Sequence, residues 1–298
     1  MTSSAGRGKR FLERLASGFV IGDGAYGFAL QGLGLAGTNP AHANVEHPDQ
    51  VLKLHRAFVA AGSDVLQTNT FQAHRIALER DGSADQLHAI NEQAARLART
   101  AANEADREVF VAGDLGPSPV LIEPYGDLPP EKARAAFREQ AAICAAAGVD
   151  FLIFQTFASL EEMQIAIEAG RETGLPIAAS MAFEANGRTN FGVTPEQAAV
   201  RLAEFGASIV GANCSVGPQE LLPVARAFRK ATSLPVLIQP NAGLPQLREG
   251  RAVFPVTPKE MAEYAVQFRD IGVNFIGGCC GSTPDHIRAI ARALRGGA

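Results

Sequence analysis

One alternation governs what this chain can fold into: a short apolar run, a polar turn, an amphipathic segment, a glycine, then the next apolar run. Eight such runs are read, at residues 19–25, 64–71, 109–116, 151–157, 176–183, 208–214, 235–241 and 275–279. They are almost continuously apolar, as strands buried on both faces of a parallel sheet should be. The segments between them begin and end with recognisable punctuation. Ser159-Leu-Glu-Glu162, Thr194-Pro-Glu-Gln197 and Thr257-Pro-Lys-Glu260 read as capping boxes, two of them with proline at the first helical position. Thr283-Pro284 opens the last helix without the reciprocal acid. Gly62, Gly148, Gly174, Gly206 and Gly272 each stand just before a strand, where a left-handed helix stop belongs. Eight βα units predict an α/β fold, a (β/α)8 TIM barrel in a single domain over residues 1–298. A doubly wound sheet is the competing arrangement. Gly22-Asp-Gly24-Ala-Tyr-Gly27 has the spacing of a dinucleotide-binding turn, but no helix is expected before Pro48 and no ribose-binding acid is evident.

Composition narrows the function classes. A net charge of −4 without a basic run argues against a nucleic-acid surface. No apolar stretch approaches the roughly 20 residues of a membrane span. Residues 1–14 read as a frayed N-terminal arm, with no signal-peptide apolar core behind the polar start. Four cysteines in 298 residues favour metal binding or catalysis over a disulfide framework, and a reducing cytoplasm is the expected setting.

Active sites of such barrels gather at the C-terminal ends of the strands. Those ends carry Asp23, Asn69, Asp114, Gln155, Glu184, Cys214, Asn241 and the pair Cys279-Cys280. Neighbouring side chains on a strand point to opposite faces, so Cys279 and Cys280 can reach one centre only where the strand breaks into a loop. Gly277, Gly278 and Gly281 give the backbone that freedom. With Cys214, three thiolates make a soft site for Zn²⁺ with a fourth position open, the mark of a catalytic zinc. The competing reading is a buried pair or a vicinal disulfide. Cys144, inside Ala141–Ala147, is core filling. Asp23 could serve the site or make a turn; Gln155 and Asn241 could each be functional or structural amides. Asn69 and Asp114 read as supporting polar residues. His42, His47 and His55 are expected in loops or on the surface, and His286 in the first turn of the last helix. Residues 26–47 and 242–255 form long loops that are candidate lids.

These residues resemble the homocysteine S-methyltransferase family, which includes the homocysteine-binding domain of cobalamin-dependent methionine synthase and betaine–homocysteine methyltransferase. The resemblance runs through Asp23-Gly-Ala-Tyr-Gly27, Thr68-Asn-Thr-Phe71, Gly113-Asp-Leu-Gly-Pro117, Gly211-Ala-Asn-Cys214, Gln239-Pro-Asn-Ala-Gly243 and Gly277-Gly-Cys-Cys-Gly281. It implies a (β/α)8 barrel in which Cys214, Cys279 and Cys280 bind zinc and the substrate thiol becomes the fourth ligand. It also implies that Asp23, Gly24, Ala25, Gln155 and Asn241 line the substrate site. Two positions depart from the family's pattern: Phe28 replaces a usual threonine, and Gln155 replaces a glutamate that holds the substrate amino group in relatives.

The implied activity is methyl transfer to a small thiol, with homocysteine giving methionine as the leading reaction. A different thiol or selenol acceptor is one alternative; a non-catalytic zinc- or thiol-binding subunit of a methyl-transfer assembly is another. The donor is either a small molecule or a separate methyl-corrinoid protein. The eight units occupy the chain, and it lacks the Asp-x-His-x-x-Gly cobalamin signature, so no bound corrinoid is expected.

Overall fold

The computed structural model describes residues 4–35, 39–248 and 251–296. All eight expected strands form: β1 Val20–Ile21, β2 Val65–Gln67, β3 Phe110–Leu115, β4 Phe151–Phe157, β5 Ile177–Met181, β6 Ile209–Asn213, β7 Val236–Gln239 and β8 Phe275–Ile276. They pair in parallel in the order β1-β8-β7-β6-β5-β4-β3-β2. Asp64 bridges the remaining β1–β2 seam. Its N–H donates to Ile21 O at 2.7 Å, and its Oδ2 accepts Ile21 N–H at 2.9 Å. The fold is therefore a TIM barrel, with every strand but β4 shorter than expected at its C-terminal end. There the chain leaves the sheet to build loops.

Alternation along each strand divides the core in two. Val20, Val65, Phe110, Ala112, Phe151, Ile153, Ala178, Ile209, Leu237 and Phe275 fill the barrel, while the intervening residues pack under the surrounding helices. Residues 4–14 were expected to fray, but Ser4–Ala16 is a helix that closes the lower mouth of the barrel. Phe11 and Leu15 from this helix join the interior cluster, and Phe11 stacks on Phe151 with ring centroids 4.0 Å apart. Arg7 pairs with the buried carboxylate of Asp150 beside the strands. Met1–Ser3 lie outside the described residues. The physical reason for the difference is register: Phe11 and Leu15 are four residues apart, so they share one helical face.

The expected helix stops hold, with φ between 73° and 108° at Gly62, Gly148, Gly174, Gly206 and Gly272. Capping boxes form at Thr194 with Gln197 and at Thr257 with Glu260. A further box forms where no acid is present: His286 Nδ1 accepts the Thr283 N–H at 3.2 Å. At Ser159 the box is only half made. The Ser159 hydroxyl accepts Glu162 N–H, but the Glu162 side chain turns away and accepts Ser118 N–H at 2.7 Å.

Burial pushes the Glu162 carboxyl up from 4.5 to about 7, against the pull of the Ser118 N–H. Folded Glu162 thus keeps a proton that the unfolded chain has already released. Stability falls as pH rises from about 4.5 to about 7, then levels off. Glu162→Gln keeps the Ser118 acceptor without the charge. It is expected to leave stability near pH 4 almost unchanged and to raise it by on the order of 1–3 kcal/mol at pH 8. Urea unfolding at the two pH values measures this, and an equal shift at both would disprove the titration.

The first long loop contains a helix, Tyr26–Gly32, directly after Ala25, where no helix was expected before Pro48. The second carries an antiparallel hairpin, Gln246–Arg248 with Arg251–Val253. Residues 36–38 and 249–250 of these two candidate lids lie outside the described residues.

Candidate metal centre and active site

β8 ends at Ile276, and the next five residues turn back across the barrel mouth. Gly281 adopts a φ of 77°, and a Cβ there would meet the Phe254 ring at 2.2 Å. Glycine is therefore required both by conformation and by space. Gly278 N–H donates to Asp23 O at 2.9 Å, Cys279 N–H to Pro240 O at 2.8 Å, and Cys280 N–H to Asn241 Oδ1 at 3.1 Å. These bonds turn the adjacent cysteines toward one point. Cys214, just beyond β6, meets them from the other side with a left-handed φ of 61°. Such a conformation in a residue other than glycine needs support, here from its N–H on Gln239 O at 3.0 Å.

The sulfurs of Cys214, Cys279 and Cys280 all lie within 4.8 Å of one another, and all three cysteines are free. Cys214 and Cys280 sulfurs are 3.8 Å apart. Zinc with tetrahedral Zn–S bonds of about 2.3 Å needs sulfurs separated by about 3.8 Å, so this donor set fits that ion. The Cys214 thiol is drawn down by hydrogen bonds from Cys279 and Cys280, while those two are held up because their protons bridge to its sulfur. Three thiols this close cannot all ionise unaided, and a divalent cation removes that conflict.

Above the apolar barrel interior the inward columns turn polar. Two residues beyond Val65, Ala112, Ile153, Ala178 and Leu237 stand Gln67, Asp114, Gln155, Ser180 and Gln239, and Asn213 ends the column of Ile209. Asn213 is the hub of this layer. Its Oδ1 accepts Thr156 N–H at 2.8 Å and the Ser180 hydroxyl at 2.6 Å. Its Nδ2 donates to Thr156 Oγ1 at 2.7 Å and faces Gln155 Oε1 at 3.4 Å and Cys279 Sγ at 3.8 Å. The clamp holds Thr156 at a φ of 68° where the β4–β5 register slips. A β-branched residue resists that conformation, so the two-point grip of Asn213 is what maintains it.

A pocket of about 270 Å³ opens over the three cysteines, walled by Gly24, Ala25, Tyr26, Phe28, Asp114 and Gln155 among others. Asp23 lies behind this wall and is fully buried. Its carboxylate accepts Tyr26 O–H at 2.6 Å, Gln67 N–H at 2.7 Å and Gln67 Nε2–H at 2.9 Å. Burial nevertheless pushes its pKa up to about 7. Tyr26 also meets His55 Nδ1 at 2.8 Å. A tyrosine has one proton to give, so when Asp23 is ionised His55 donates from Nδ1. Burial lowers His55 to about 3, keeping the ring neutral.

Residues 20–294 match the family model for homocysteine S-methyltransferase. The chain belongs to that family. It is 38% identical to betaine–homocysteine S-methyltransferase 1 of Mus musculus over 310 residues, covering 96% of this chain and 75% of that protein. It is 32% identical to methionine synthase of Mycobacterium leprae, covering 95% of this chain but 25% of that protein. The metallated homocysteine methyltransferase MmuM of Escherichia coli has the same fold. The TM-score is 0.76 at 22% identity, covering 92% of this chain and 95% of that one.

Of the positions expected from the family resemblance, the structure brings Gly24, Ala25, Gln155, Cys214, Cys279 and Cys280 to one pocket. Asp23 and Asn241 are absent from its described lining. Asp23 is occupied by three protein donors, and the Asn241 oxygen is committed to Cys280 N–H. Asn69 and Asp114 do line the pocket, while Glu184 lies in a turn outside it, its N–H on Arg188 O at 2.8 Å. Phe28 lines the pocket with its ring edge-on to Phe254 at 5.1 Å. Cys144 is core, as expected. His55, expected in a loop or on the surface, is buried because its helix turns that face toward Tyr26. Sequence reasoning passed over Gln67, Asn213 and Ser180. Stepping two residues from the inward apolar positions would have found them.

Proposed function

We propose that this protein is a zinc-dependent S-methyltransferase that moves a methyl group to the sulfur of homocysteine, giving methionine. The observation that carries the proposal is the convergence of three free cysteine sulfurs, at zinc-binding separation, beside a pocket in a homocysteine S-methyltransferase family member. Cys214, Cys279 and Cys280 would hold the metal. Zinc there supplies Lewis acidity that favours the thiolate form of a substrate thiol. In the transfer the substrate sulfur forms a bond to the methyl carbon, the donor–methyl bond breaks, and its electron pair leaves with the donor. The thiol proton is released to solvent.

The chain's own residues orient and enclose the reactants. The described pocket lining contains no lysine or arginine, so a substrate carboxylate would be met by neutral donors, for which the Gly24 N–H and the side chains of Thr68 and Asn69 are candidates. Asp23 positions the Gly24 segment through Tyr26 and through Gly278 N–H on its carbonyl. Phe28, held edge-on against Phe254, gives the pocket an apolar side that would limit water at the thiolate. The name of one relative, betaine–homocysteine S-methyltransferase 1, supports a betaine-like small molecule as donor; a separate methyl-corrinoid protein is the other donor class that the family resemblance offers. Phe28 and Gln155, where the family resemblance leads one to expect a threonine and a glutamate, permit another thiol or selenol as the second reading of the acceptor.

Mass spectrometry of products from the zinc-loaded protein tests these readings with an acceptor–donor matrix. The acceptors are homocysteine, desamino thiols and selenols; the donors are betaine, S-methylmethionine and a methyl-corrinoid protein. Methionine is expected with one donor class. Methylation of a different acceptor alone would replace homocysteine in this reading, and no transfer in any combination would overturn it.

A further inference from the structure

The orientation of one buried amide identifies a group that reads the acceptor. Thr156 N–H can only donate, so the Asn213 atom facing it at 2.8 Å is the oxygen. Asn213 Nδ2 therefore faces Gln155, whose oxygen must point to it. That leaves Gln155 Nε2 aimed at Asp114, where it donates to Oδ1 at 2.7 Å. The glutamine is thus occupied in holding a carboxylate. Asp114 itself lines the pocket, and among the described residues no donor reaches its other carboxylate oxygen. The described lining offers it no cationic side chain either. Asp23 differs, since it lies behind the wall with three donors.

We propose that Asp114, held by Gln155, is the specificity-determining carboxylate that receives a primary ammonium on the acceptor thiol. The inference rests on the thiol-acceptor reading above and narrows it to amino thiols. Asn213 and Gln155 join the two ends of the site, running from Cys279 Sγ through Asn213 Nδ2 and Gln155 to Asp114 Oδ1. A ligand with sulfur at the cysteines and nitrogen a few bonds away lies along that line. Burial raises the Asp114 carboxyl well above the usual range, as expected of an acid whose counter-ion arrives with the ligand. The ammonium brings the charge-assisted hydrogen bond that the protein withholds.

Calorimetric titration of the zinc-loaded full chain with homocysteine and with 4-mercaptobutyrate, its desamino counterpart, tests the assignment. Wild-type protein should prefer homocysteine by about tenfold or more. In Asp114→Asn that preference should shrink to about twofold or less, through weaker homocysteine binding with 4-mercaptobutyrate unweakened. The double change Asp114→Asn with Gln155→Glu exchanges amide and carboxylate across the same hydrogen bond and should restore the preference. Retention of the wild-type preference by Asp114→Asn overturns the assignment and leaves the thiol reading intact. No binding of either thiol by wild-type protein overturns both. Should Asp114→Asn fail to fold, the wild-type homocysteine complex decides by crystallography. The amino nitrogen within hydrogen-bond distance of Asp114 supports the proposal, and its placement on other groups refutes it.

Discussion

Replacing Cys279 with alanine is expected to empty the metal site and abolish methyl transfer while leaving the barrel folded. The three sulfurs form a single donor set within 4.8 Å, and two thiolates alone make a far weaker zinc site than three. Cys279 lies beyond β8, which ends at Ile276, and its N–H bond to Pro240 O uses backbone that alanine retains. Metal analysis should find zinc falling from about one ion per chain to near none, with transfer reduced by about a thousandfold or more. Cys214→Ala and Cys280→Ala should behave alike. Cys144→Ala is the control: it lies in the core, so it should weaken stability slightly and alter neither zinc nor transfer. A Cys279→Ala protein with full zinc and full transfer would remove the basis of the proposed function.

Phe11→Ala should destabilise the protein by about 3–5 kcal/mol, the range for deleting a fully buried aromatic ring. Phe11 is fully buried at the base of the barrel, stacked on Phe151 and within 5.2 Å of the Phe110 ring and 6.3 Å of Phe275. Water or side chains moving inward can only partly fill the space left under three rings. Because the three-cysteine cluster lies beyond the opposite ends of the strands, zinc content of the folded protein should not change. The urea midpoint measures the effect. An unchanged midpoint would mean that the helix Ser4–Ala16 is not needed to close the barrel.

The eight strands could be read from the sequence because each is buried on both faces, which forces apolar residues throughout and leaves a local signature. The stops at Gly62, Gly148, Gly174, Gly206 and Gly272 were equally plain, since a left-handed cap favours glycine whatever the tertiary setting. Cys214 and the Cys279-Cys280 pair could be placed at strand ends by counting, and barrel closure brings such ends to one mouth.

Partner choice was not available in that way. Glu162 has the spacing for a reciprocal cap, yet it binds Ser118, a residue 44 positions away that only the fold brings near. His286 completes a cap that was expected to lack a partner, because imidazole can accept a backbone N–H as a carboxylate can. The polar start of the chain hid a helix whose stability comes from packing Phe11 and Leu15 against the barrel.

By itself, then, the sequence determined the βα alternation, the helix stops and the strand-end positions of the three cysteines, since each follows from local periodicity or from the chemistry of one residue type. Only the tertiary structure decided that Asp23 lies behind the pocket, that Asn241 serves Cys280, and that Gln155 gives its amide to Asp114. Those outcomes depend on which groups from distant strands share a buried space, where each donor must find an acceptor among the few that the fold brings within reach.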